Sequence, residues 1–143
     1  MITTELDLKN ISAAAGKIPA NTPFLMLNLL RYRDQAAYSD PTVAKFRTGR
    51  EAYLQGYLPA FGVVASKSEL TKSIQPILIG TVIQTIIGPA DERWDDMALV
   101  QYPNFEAFQA VAQSEEYQRD AEPHRQAALE NLRLIAIIQR DRP

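Results

Sequence analysis

The sequence predicts an α+β domain whose elements run helix, then β-α-β-β-α-β, with four antiparallel strands in one sheet. Three observations lead there. The stretches "FLMLNLLRY" at 24–32, "PILIGTVIQTIIG" at 76–88, "MALVQY" at 97–102 and "LRLIAIIQR" at 132–140 have the apolar, β-branched character of strands. Between the first and second, and between the third and fourth, apolar residues recur at helical spacing instead. The 143 residues contain no repeat and no dividing linker, so 1–143 is expected to be one domain with 1–22 as a helical extension.

Taken in order, residues 5–15 form a short helix with Thr4 as its cap and Gly16 as its end. The first strand is 24–32. Phe46, Tyr53, Tyr57 and Ala60 set a helix over about 42–58, which Pro59 ends or kinks because it lacks an N–H and crowds the turn before it. Residues 62–74 read as a polar connection, and Gly80 as a bulge or close approach within the second strand. "GPADERWDD" is a loop. Asn104 caps a helix to about 113, Ser114 caps a second piece, Pro123 opens a third and Asn131 stops it. This order is the ferredoxin-like split βαβ arrangement.

Helices on one side of such a sheet leave the other side bare, yet the strands are apolar on both faces. Phe24, Met26 and Leu30 share one parity, and Leu25, Leu27 and Leu29 the other. A second copy packed face to face, closing two sheets into a dimeric α/β barrel, satisfies the surplus. The all-leucine set is the purer, so it is assigned to the helices. Asn28 then faces the partner sheet with Met26 and Tyr32. There it either lines a small ligand cavity or hydrogen-bonds a counterpart and fixes the strand register.

Composition narrows the function classes. A net charge of −2 leaves no basic excess for nucleic acid. The absence of cysteine removes disulfides, thiolate metal sites and a cysteine nucleophile. No apolar run approaches the ~20 residues of a membrane span, and the N-terminus lacks the pattern of a signal peptide, so a cytoplasmic protein is expected. One histidine cannot build a multi-histidine metal centre, and no phosphate-binding or dinucleotide motif occurs. No metal and no cofactor are expected.

Three segments, "MLNLLRYRDQAAY" at 26–38, "IGPADERWDDMALVQYPNFEAF" at 87–108 and "EYQRDAEPHRQAALENLRLIA" at 116–136, resemble domain-of-unknown-function family 1330 of the dimeric α/β-barrel superfamily. The resemblance spans about Pro23 to Ile137, and departs at Gln101, where a basic residue is looked for. It implies a ferredoxin-like fold and a homodimer, and no particular activity.

Several residues are candidates for chemistry. His124 follows Pro123 in the first turn of a helix, beside Arg125, and both features favour a neutral imidazole suited to proton transfer. Arg31 at the strand end is the candidate to hold an enolate or carboxylate oxygen, with Asn28. Tyr53 and Tyr57 share a helix face, with Arg50 on the same stripe, and Trp94 either lids a pocket or packs on a partner. The resulting expectation is a homodimer with a small-molecule pocket by the sheet–sheet interface. It acts as a cofactor-free enzyme on an activated carbonyl compound, with His124 and Arg31 catalytic and Asn28, Arg50, Tyr53 and Trp94 binding. A non-catalytic ligand-binding or stress-associated dimer is the alternative, and haem ligation by His124 is a third reading.

Overall fold

In a computed structural model describing residues 2–141, the near-continuous apolar run Phe24–Tyr32 forms the central strand β1. It pairs antiparallel with β3 (Asp96–Tyr102) on one side and β4 (Leu129–Ile137) on the other, and β2 (Gln75–Thr81) adds to the far edge of β3. The order β2-β3-β1-β4 with βαββαβ connectivity is the ferredoxin-like fold. A register shift at Arg31/Tyr32 bends the end of β1 against β4. No helix among the described residues is long and apolar enough to cross a membrane.

Short polar side chains set the helix starts. Asp7 caps α1 (Leu8–Lys17) by accepting from the Lys9 and Asn10 amides. The expected start at Thr4 is therefore too early, and Gly16 lies inside the last turn instead of ending it. Thr48 caps α2 (Gly49–Glu51), which runs through a π-helical segment, Ala52–Tyr57, into α3 (Leu58–Ala65). Asn104 caps α4 (Phe105–Ala112), and Ser114 caps α5 (Glu115–Asp120), as the sequence predicts. Pro123 sits in the first turn of α6 (Glu122–Ala128), but that helix ends at Leu129 and Asn131 belongs to β4.

The helix expected at 42–58 runs instead from 49 to 65 and continues past Pro59. The turn just before the proline is wider than an α-turn, with the Leu58 amide donating to the Tyr53 carbonyl five residues back. That widening accommodates a ring that lacks an N–H and would press on the carbonyl one α-turn earlier.

Phe24, Met26, Leu30 and Tyr32 are the β1 residues buried beneath the helices, and Leu25, Leu27 and Leu29 lie half-buried on the bare face. The assignment of the leucine set to the helices is thus reversed. The helix layer stands off the sheet, and large rings fill the gap. Phe24 stacks on Tyr102 at 5.2 Å and meets Phe105, while Tyr32 meets Tyr53. Strand β2 is also shorter than expected. After Thr81 only Val82 still bonds to Asp95, and Ile83, Ile86 and Ile87 lie 87%, 87% and 96% exposed.

Candidate functional site

Because its parity is that of Phe24 and Met26, Asn28 faces the helices, not a partner sheet as the sequence reading had it. It lines an interior cavity of about 50 Å3 between the sheet and the helices. Tyr53 and Tyr57 reach the same space from the π segment, their rings stacked 5.0 Å apart, and Tyr102 and Tyr117 reach it from β3 and α5. The Tyr57 and Tyr117 hydroxyls share a hydrogen bond of 3.0 Å. The hydroxyls of Tyr53 and Tyr102 have no partner among the described residues. The Asn28 amide donates to the Met26 and Ala98 carbonyls at 3.0 and 3.4 Å, and its Oδ1 accepts nothing among those residues.

Burial pushes the Tyr53, Tyr57 and Tyr102 hydroxyls well above the usual tyrosine range. Tyr117 is raised to about 12 by burial, with Glu122 adding to it. All four hydroxyls are therefore protonated at neutral pH; one of Tyr57 and Tyr117 donates to the other, and Tyr53 and Tyr102 keep their donors free among the described residues.

Arg125, 6% exposed, lines the cavity as well. Its guanidinium grips Glu122 through Nε and Nη2, with Nε 2.9 Å from Oε2, and its Nη1 donates to the Thr4 carbonyl at 2.6 Å. Burial opposes the charge on Arg125, but Glu122 outweighs it and holds the guanidinium protonated. The pair brings no net charge to the cavity. Thr3 pins the N-terminal segment to β4 by a 3.0 Å bond to Asn131 Oδ1 and a 2.9 Å bond from the Leu132 amide. Between this segment, α1, α4 and β4 runs a groove of about 530 Å3. Cavity and groove have Leu6, Met26, Phe108, Arg125, Leu132 and Leu134 in common.

Of the six candidates from the sequence, Asn28 and Tyr53 come together here and the other four do not line the cavity. Arg31 projects to the bare face and pairs with Glu130 at 2.9 Å. Arg50 lies over the Tyr32 ring and binds Asp96 Oδ2 at 2.9 Å, where the Tyr32 hydroxyl also donates at 2.7 Å. Trp94 is half-buried against the Arg133 guanidinium. His124 faces away toward the loop after β1, where its Nδ1 lies 2.6 Å from the Tyr38 hydroxyl. Sequence reasoning missed Tyr102, Tyr117, Arg125 and Glu122. Only the Glu122/Arg125 pair carries a local signal, opposite charges one helical turn apart.

The RPA0582 protein of unknown function from Rhodopseudomonas palustris has a solved structure that matches this chain with a TM-score of 0.83 and 31% identity, over 99% of this chain and 100% of that one. The methylated RPA0582 protein matches with a TM-score of 0.81 and 32% identity, over 97% and 96%. A dimeric protein of unknown function and ferredoxin-like fold from Bacteroides fragilis matches with a TM-score of 0.44 and 13% identity, over 85% and 100%, a level that bears on neither fold nor assembly here. No protein-family model and no curated protein matches the chain.

Proposed function

Since the chain belongs to the family of the Rhodopseudomonas palustris RPA0582 protein, itself of unknown function, we propose its role from the interior site: it binds a small neutral carbonyl compound, as a homodimer. The observation that carries this reading is that Tyr53 and Tyr102, whose hydroxyls are unpartnered among the described residues, line one largely apolar space with Asn28. Protonated hydroxyls suit a carbonyl oxygen, and Asn28 Oδ1 suits a hydroxyl or N–H beside it. An anion gains little, because Glu122 already neutralises Arg125.

The bare leucine face, apolar and left uncovered by the helices, is the surface for a second copy. The reading needs no cofactor and is compatible with a cytoplasmic protein. Binding is favoured over the cofactor-free enzyme because Arg31 and His124 lie apart from Asn28, and tyrosines held protonated polarise a carbonyl without removing a proton.

Titration of the isotope-labelled protein with 2-butanone, followed by amide and side-chain NMR shifts, tests the reading. Shifts should localise to Asn28, Tyr53 and Tyr117, and Tyr53→Phe should weaken binding by roughly 2- to 10-fold, the worth of one hydrogen bond. Shifts confined to the sheet's bare face, or affinity indifferent to Tyr53→Phe, would overturn it.

A further inference from the structure

We propose that the groove beneath the N-terminal segment holds the apolar tail of the same ligand, which makes that ligand an amphiphile with a neutral polar head and an alkyl-like tail. The proposal rests on the carbonyl-binding reading of the cavity and extends it. A cavity of about 50 Å3 is small for a whole organic ligand, whereas a space of about 530 Å3 lies within the range of small-molecule sites, roughly 300–1,000 Å3. The two adjoin, with six residues common to both linings and Arg125 at the junction.

The chemistry of the groove is mixed. Phe105, Phe108 and Leu134, with Ile11 and Ala14 of α1, give the groove its apolar lining, and Glu5, Asp7, Asn10 and Arg133 line it with polar groups of both charges. The polar side chains that line the cavity, Asn28, Tyr53 and Tyr102, take the head inward and leave the tail to the apolar lining of the groove. Helix α1 has no fully buried residue; Ile11, Ala14 and Ile18 are partly buried against the Phe24, Phe105 and Phe108 cluster, and Ile11 and Ala14 also border this groove. The segment before it is fixed by the Thr3 and Thr4 bonds to β4 and Arg125. A tail lying in the groove would extend that apolar contact.

The test is a chain-length series of methyl ketones, 2-butanone, 2-heptanone and 2-undecanone, titrated into the wild-type protein and into Ala14→Trp and Ile11→Trp, whose indoles would fill the groove. Both sites are half-exposed on α1, and far-UV circular dichroism checks that each variant is folded. Wild-type affinity should rise about fourfold per methylene that enters the groove. In the tryptophan variants the rise should vanish while 2-butanone affinity is unchanged. Equal affinity along the series in the wild type, with 2-butanone bound at the cavity, would overturn the groove and leave the head site intact. A rise that persists in both variants would put the tail elsewhere and also overturn it. If no ketone binds, the cavity reading fails and the groove falls with it.

Discussion

The Tyr38 hydroxyl lies 2.6 Å from His124 Nδ1, with the two rings edge to face. Burial, then the Lys45 charge, lowers the His124 pKa below its ordinary 6.5, so the ring is neutral near pH 7. Burial raises Tyr38, so the hydroxyl keeps its proton. The hydroxyl therefore donates, Nδ1 accepts, and the ring proton sits on Nε2. Tyr38→Phe removes a donor that favours the neutral ring, and the His124 pKa should climb toward 6.5. As the sole histidine, its C2 proton can be titrated directly by NMR. An unchanged midpoint would mean that Tyr38 does not hold the neutral form.

The same shift gives a stability window. The unfolded chain takes up a proton at His124 near pH 6.5 and the folded chain only at lower pH, so stability from this group is complete above 6.5. It is lost as pH falls from there through the folded value. Urea midpoints at pH 7.5 and 5.0 should differ less in His124→Gln than in wild type. A slope unchanged by the substitution would count against the lowered pKa.

Gly56 explains how His124 gets so close to the helix. A Cβ at that position would lie 2.9 Å from His124 Cγ and Nδ1 and from Phe46 Cε2. Gly56→Ala should therefore cost about 1–3 kcal/mol and move the His124 resonance. Gly62, on the same helical run, has nothing within 4 Å of its hypothetical Cβ. Gly62→Ala should be stabilising, by about 0.5–1 kcal/mol, from helix propensity alone. Equal effects of the two in urea unfolding would refute the packing account.

Much of this fold is legible from periodicity. Strand β1 is read to its residue bounds, and the β-α-β-β-α-β order fixes the sheet once the strands are known. What is not legible depends on the layer above. Leucine purity cannot tell which face of β1 meets the helices, because the answer lies in the volume that Tyr53, Phe105 and Phe108 bring from distant segments. Pro59 does not end the helix because the wider π turn before it makes room for the ring, and Tyr57 in that segment packs on Tyr117 of α5. Asn28 draws notice as an amide among leucines, but Tyr102 and Tyr117 look like ordinary core aromatics until the fold brings them to one cavity.

The Glu122–Arg125 pair is a second source of predictions. Removing one partner of a buried ion pair leaves an uncompensated charge, typically a loss of about 3–5 kcal/mol. Arg125→Met should lose that much in urea unfolding, and the paired change with Glu122→Gln should recover most of it. Both should loosen the N-terminal segment, because the Thr4 carbonyl loses its donor. Faster amide hydrogen exchange in α1 would report this. A double variant as unstable as Arg125→Met alone would show that the pair is not the source of the loss.

The bare sheet face leads to the last prediction. Leu27 sits at its centre, in register with Leu99 on β3 and Ile135 on β4, and the half-exposed leucines and isoleucines around it form an apolar surface atypical of a monomer. Leu27→Asp sets a charge in the middle of that surface without touching the cavity, because the side chain points away from Asn28. By light scattering after size exclusion, the wild type should run as a dimer and Leu27→Asp as a monomer with an unchanged circular dichroism spectrum. A wild type that stays monomeric at high concentration would remove the homodimer from the proposal. A dimer that survives Leu27→Asp would move the interface to another surface, with the exposed isoleucines at 83, 86 and 87 next to be mutated.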